Sequence, residues 1–405
     1  MVSFSKKFGI LLMTRAIKIL CLIVAISLTM FPTPILPTHA QESPDPLYTI
    51  ERSTVWDVKW SHDGTKFAVW SYETASVYNA TTGAALLGIQ HRGIIQGVEW
   101  SGDDTQIFTW STDHTVRVTD VESGDVVREL EHTATVNHAY WNADQSLLLT
   151  SGEWRSAYMW DFETGERLYS LFPEDWVTIA TWRADDTQIV TLSEGGTVAV
   201  WDSQTGEEVF RVQHLTYANG AVWNTDATRL LTTADDRAAI MSDAVTGEEQ
   251  QRLIHENDVR FAKWINHDTA ILTFAGNQYY VWDASDGTRL QTLTYDVIVP
   301  NQTGTYALAI RGDTGYWLDL VNFEVNWSLT HDGLILGADW NAEETQLVTW
   351  SRDGTARRWD AESGDMLGFY DLDTEFLAAG ALWSPDESRL LVYSNSGIIR
   401  VWEMP

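Results

Sequence analysis

The chain has 405 residues, 44% of them hydrophobic and 12% aromatic, which is ample for a large apolar core. Its formal net charge at pH 7 is −31, a surface that repels nucleic acid and anionic lipid and favours cations or basic partners. With a single cysteine, Cys21, it has no disulfide framework, no zinc–cysteine cluster and no further thiol.

The first forty residues differ from the rest. Lys6, Lys7, Arg15 and Lys18 are basic, and no acid precedes Glu42. An unbroken apolar run, ILCLIVAISLTMF (19–31), is followed by prolines and by Thr38-His39-Ala40. Basic, then apolar, then small residues is the layout of a secretory signal peptide. The run is shorter than the roughly 20 residues a spanning helix needs. Residues 1–40 are therefore expected to be cleaved after Ala40, leaving an extracytoplasmic (periplasmic or secreted) protein with no stable membrane anchor. Losing those four cations and no acid takes the net charge from −31 to −35.

From residue 45 onward the sequence repeats. Trp60, Trp100, Trp141, Trp182, Trp223 and Trp264 stand 40 or 41 residues apart, and Trp340 and Trp383 follow. A second ladder runs beside the first: Asn79, Asp120, Asp161, Asp202, Asp243, Asp283, Asp319, Asp360 and Glu403. Seven of these nine have a glycine four residues later, for example Gly124, Gly206 and Gly364. Self-similarity at this period means one supersecondary unit repeated. Within unit four, VTIATW (177–182), QIVTLS (188–193), TVAVWD (197–202) and EEVFRV (207–212) are short β-branched and aromatic runs with period-two alternation. RADDT, EGG and SQTG turns separate them, so each unit is expected to be four strands.

VAVWDSQTG (198–206), YMWDFETG (158–165), YVWDASDG (280–287) and RRWDAESG (357–364) resemble the tryptophan–aspartate (WD) repeat. The resemblance covers roughly residues 45–405 and implies an all-β, closed β-propeller with one four-stranded blade per repeat. The chain departs from the family pattern in two ways. The glycine–histidine dipeptide is absent, although the histidine itself stands at His91, His132, His214, His255 and His331. Unit seven, about 292–330, has no first-ladder tryptophan. Counting units gives nine blades, or eight if unit seven forms none. DPLYTI (45–50) resembles a fourth strand, and IIRVWE (398–403) a third, so the N-terminal strand is expected to complete the last blade. Residues 41–405 are expected to form a single propeller domain.

In unit eight His331, Ser351 and Asp353 are the residue types of a hydrolytic triad. The WD-repeat resemblance instead implies a buried structural network of His331, Ser351, Asp353 and Trp359. Partial copies recur at His91, Ser111 and Asp113 and at His214 and Asp236, which a catalytic triad has no reason to do. No G-x-S-x-G elbow, phosphate-cradling loop or dinucleotide fingerprint is present, so no catalytic residue, cofactor or metal site is assigned. The hairpins after the first ladder are acidic, as at Asp103-Asp104 and Glu343-Glu344. They read either as calcium or basic-partner sites or as solvated turns. The opposite loops carry Arg92, Trp154, Arg155, Trp176, Tyr217, Arg237 and Arg352, residue types of binding hot spots, which read either as a partner face or as inter-blade packing. The resemblance implies a non-catalytic protein–protein interaction platform. A small-ligand or glycan binder using a central channel is the alternative, and a hydrolase stands last.

Overall fold

The computed structural model describes residues 43–152, 156–173, 175–372 and 377–404. Among them all regular structure is β-strand. The strands form nine antiparallel sheets of four, each a blade, in the strand order of a β-propeller. Unit seven does form a blade, so the count is nine and not eight. Eight blades take their strands consecutively. Blade four runs Val177–Trp182, Gln188–Ser193, Thr197–Asp202 and Glu208–Gln213, its last strand one residue later than the sequence suggested. Blade nine is shared: Gly380–Trp383, Arg389–Tyr393 and Ile398–Glu403 are joined by Tyr48–Glu51, with Tyr48 opposite Val401 and Glu51 opposite Ile398.

Two compact units are distinguished. One, Trp56–Ala80 with Ala84–Thr294, holds blades one to six apart from one turn. The other, the residues up to Val55 with Thr81–Gly83 and Tyr295–Pro405, holds blades seven to nine. In each unit the core lies between successive sheets. Leu149, Met159, Val177, Ile189 and Trp201 pack blade three on four, and Leu308, Trp317, Ile335, Leu347 and Trp359 pack blade seven on eight. A blade cannot bury both faces alone, so the apolar alternation of every strand demands a neighbour.

The first tryptophan ladder joins neighbours. The indole N–H of Trp100 donates to Lys59 O (3.4 Å), that of Trp182 to Tyr140 O (3.0 Å), that of Trp264 to Val222 O (3.3 Å) and that of Trp340 to Val299 O (3.3 Å). Each bond crosses to the first strand of the preceding blade. The second ladder builds the turns. Asp202 Oδ1 accepts the N–H of Gln204 (3.0 Å) and Thr205 (2.8 Å), and Gly206 closes the turn at φ 72°. Glycine is required twice over at this position. At Gly364 (φ 78°) an added Cβ would meet the Trp327 ring of the preceding blade at 2.7 Å.

Blade seven keeps this plan with other residues. Pro300 stands in the tryptophan slot, opposite Ala307 at the end of a first strand, Val297–Pro300, that pairs on one side only. A proline is tolerated there because no partner needs its N–H. Phe323 stands in the glycine slot and still adopts φ 64°. Trp317 stacks on Trp327 at 5.0 Å and meets Trp340 edge-on at 5.1 Å, replacing the missing ring.

Candidate functional site

Antiparallel pairing puts the turn between second and third strands and the blade-to-blade loop at one end of every sheet, and the two acidic turns at the other. At the acidic end many carboxylates are committed to backbone N–H groups. Asp185 Oδ1 accepts the Thr187 N–H (3.1 Å) and Oγ1–H (2.7 Å) of its own turn. The acid that follows adopts the left-handed region and reaches the preceding blade. Asp104 (φ 56°) accepts the N–H of His62 (2.9 Å) and Asp63 (2.8 Å), Asp186 (φ 59°) that of Ala143 (2.7 Å), and Asp268 (φ 64°) that of Thr225 (2.7 Å). Glu344 and Glu387 do the same for Gln302 and Ala342 in the other unit. These carboxylates bind backbone N–H groups that would otherwise need water.

At the opposite end, blade eight brings His331, Asp353 and Trp359 together around a hydroxyl. His331 Nδ1 lies 3.1 Å from Asp353 Oδ2, and its Nε2 lies 2.7 Å from Thr349 Oγ1. The Trp359 indole donates to the same Thr349 Oγ1 at 2.9 Å. Ser351 is not the bridging hydroxyl: its Oγ accepts the Asp353 N–H at 3.1 Å. The strand alternation explains this. Thr349 and Ser351 share a face of Gln346–Ser351, but Thr349, two residues deeper, is the one level with both rings. The histidine–threonine pair recurs with Thr109 for His91 (2.7 Å), Thr150 for His132 (2.8 Å), Thr232 for His214 (2.9 Å) and Thr273 for His255 (2.7 Å). Sequence reasoning missed this threonine ladder, although Thr109, Thr150, Thr191, Thr232 and Thr273 stand 41 residues apart.

Electrostatics fix the protonation states. Burial pushes His331 below the ordinary histidine range and outweighs the Asp353 hydrogen bond, so the ring is neutral at pH 7. Burial alone would raise the Asp353 carboxyl, but hydrogen bonds from His331 and Thr355 outweigh it and hold the carboxyl well down. His132 and His255 lack the aspartate. Their Nδ1 atoms sit against Leu130 O (3.2 Å) and Leu253 O (3.0 Å), and burial takes both to about 4. Chemically, both nitrogens of each ring are occupied. Thr349 and Ser351 have no exposed surface. A nucleophile–base pair needs an open hydroxyl and a free lone pair.

Blade four interrupts the pattern. It keeps the Trp201–Thr191 bond (2.9 Å) but has buried Pro173 in the histidine slot and Gly195 in the aspartate slot. Asp175 occupies the space above Gly195, Gly196 lies against His214 O and Thr216 O, and the Glu194 N–H donates to Trp176 O at 2.9 Å. Three loops thus meet at this end of the blade. Their exposed residues include Phe172 (63%), Trp176 (39%) and Leu215 (86%), beside the polar Glu194 and Thr216.

Among the partner-face residues expected from sequence, Trp176 and Tyr217 therefore lie together at this lip. Arg237 lies in the adjoining turn of blade five, exposed and at φ 67°. Arg92 lies elsewhere in the same unit, exposed, on a polar cleft of about 360 Å³ with Asp113, His114, Arg117, Glu129 and Glu131. Arg352 is exposed in blade eight, where its N–H donates to Leu334 O (2.9 Å). Trp154 and Arg155 lie outside the described residues. Leu215 and Phe172 were not picked out in sequence, because a single aliphatic or phenylalanine in a loop carries no pattern.

Comparison with known proteins agrees with this architecture. The WD40 family profile (WD domain, G-beta repeat) matches residues 124–161, from the last turn of blade two to the Trp160-Asp161 pair of blade three. No curated protein matches the chain. The C-terminal WD40 domain of Sif2 is similar in fold, with a TM-score of 0.60 at 13% identity, covering 91% of this chain and 100% of that one. The computationally designed Ika8 protein is similar too, with a TM-score of 0.58 at 17% identity, covering 90% and 100%.

Proposed function

We propose that this chain is an exported, non-catalytic WD-repeat propeller that serves as a protein-interaction platform, docking its partner at the blade-to-blade loop end of its sheets. The observation that carries this reading is the lip of blade four, where Phe172, Trp176 and Leu215 stay exposed while the opposite turns are acidic and self-capped. Exposed aromatic and aliphatic groups grouped on one surface mark contact sites. Occupied histidines and enclosed hydroxyls support the non-catalytic part. The basic, apolar and small-residue order of residues 1–40 supports export.

The test is site-specific photo-crosslinking in the source cells. A photoreactive side chain replaces Leu215, and in a second protein Val245, which is 75% exposed in an acidic-end turn of blade five. The platform reading expects a discrete protein adduct from position 215 and none from 245. An adduct from 245 alone places the contact on the other end, and adducts from neither position contradict the reading.

A further inference from the structure

We propose that the blade-four lip recognises a basic segment of its partner in which an arginine or lysine lies next to an aliphatic or aromatic residue. This deepens the platform reading and rests on it. In blade eight the histidine and aspartate slots tie the blade-to-blade loop to the turn between second and third strands. Blade four has Pro173 and Gly195 there, so that histidine–aspartate pair is missing. What the loops present instead is two chemistries side by side.

The first is apolar surface, Phe172, Trp176 and Leu215. The second is negative charge gathered around one hydroxyl. Tyr217 is half-buried beside Thr178, between blades four and five. Burial pushes the pKa of its hydroxyl up, and the carboxylates of Glu194 and Asp235 push it further. Both acids are exposed. Asp235 is itself pushed up, by burial first and then by Asp258 and Asp236, against Asn219 (2.9 Å) and Arg260. The Asp235 N–H donates to Tyr217 O (3.0 Å) and the Glu194 N–H to Trp176 O (2.9 Å), so both exposed acids stand beside the lip, where a cation would find opposite charge. A guanidinium or ammonium over Tyr217, between Glu194 and Asp235, has charge partners and an aromatic face, while its aliphatic neighbour covers Leu215. An acidic or purely apolar segment satisfies only half of this surface.

The experiment uses the full chain and a fluorescein-labelled octapeptide of alternating arginine and leucine, read by fluorescence anisotropy at physiological salt. Glutamate–leucine and arginine–serine octapeptides are the controls. We expect the arginine–leucine peptide to bind at least tenfold more tightly than either control. The Glu194→Gln, Asp235→Asn pair should weaken it about tenfold with unchanged melting, and Leu215→Ser should act similarly. The Glu207→Gln, Glu248→Gln pair removes the same charge from the acidic end and should leave binding unchanged. Equal loss from both pairs would mean attraction by net charge alone and would overturn the proposal, as would absence of binding. Repeating the Leu215 cross-link in the Glu194→Gln, Asp235→Asn background separates the two readings. An adduct retained there sinks this inference and spares the platform, and no adduct in either background sinks the platform.

Discussion

Blades four and eight share a strand plan and differ at two loop slots. In blade eight His331 and Asp353 fill those slots and close the loop end with bonds of 2.7 to 3.1 Å around Thr349. In blade four Pro173 and Gly195 fill them, and the loops turn apolar side chains outward. The residues that look most like an active site are the enclosed ones, and the residues that look least remarkable in sequence are the accessible ones. Chemical type alone therefore misleads in a repeat protein. The repeat position tells which side chains serve a structural role blade after blade, and departure from it marks where to look for another role.

That comparison can be strained first by acid. His132 and His255 have folded-state values of about 4, against about 6.5 for an unfolded chain. Between those values the unfolded state binds more protons, so stability is full above about pH 6.5 and falls as pH drops toward 4. Melting followed over that range should show a steep loss. Amide exchange should show blades three and six losing protection before blade four, which has no histidine in that slot. Uniform loss across all blades would remove the histidines from the account.

Single substitutions come next. Asp353→Ala leaves the His331 ring N–H, the Asp332 N–H and the Thr355 N–H without an acceptor, and should cost about 3 kcal/mol in thermal or urea unfolding. Thr349→Val strands His331 and Trp359 together and should cost about 2 kcal/mol. Ser351→Ala should cost less, since Ser351 serves one backbone N–H; the reverse order would restore Ser351 as the bridging group. Between blades, Gly364→Ala should destabilise by about 2 kcal/mol, because the new Cβ is strained at φ 78° and strikes Trp327. Phe323→Gly, which relieves a left-handed phenylalanine, should stabilise by about 1 kcal/mol less what its ring buries. Leu215→Ser and Phe172→Ser should fall within about 0.5 kcal/mol of the parent, as expected for surface positions.

Much of the fold was legible because propeller physics writes itself as period. Two ladders at 41 residues gave nine units, the strand count per unit and the shared ninth blade. Unit seven was the ambiguous one, since Pro300 and Leu318 removed its tryptophans from both strand positions. It still pairs, because Trp317, Trp327 and Trp340 supply the aromatic volume from other positions. The acidic turns were visible, but their task was not. Whether a carboxylate faces water or a neighbouring blade depends on one left-handed residue, as at Asp186, and no side-chain type declares that in advance. In the histidine network the ring, the aspartate and the tryptophan were found by motif. The hydroxyl expected from the motif was Ser351, beside the turn; the register places Thr349 between the rings and leaves Ser351 accepting the Asp353 N–H. The lip was half seen. Trp176 and Tyr217 stood out by composition, whereas Leu215 is informative only through its exposure.

The measurement that bears most directly on the whole account is partner capture from the source cells by three immobilised full-length proteins, compared at a temperature where all are folded. These are the parent, Asp353→Ala, and Trp176→Ala with Leu215→Ser. The account predicts that Asp353→Ala melts earlier yet retains the same partner as the parent, while the blade-four variant melts with the parent and loses it. Loss of the partner from Asp353→Ala with retention by the blade-four variant would contradict it, and would make the buried network of blade eight the functional site.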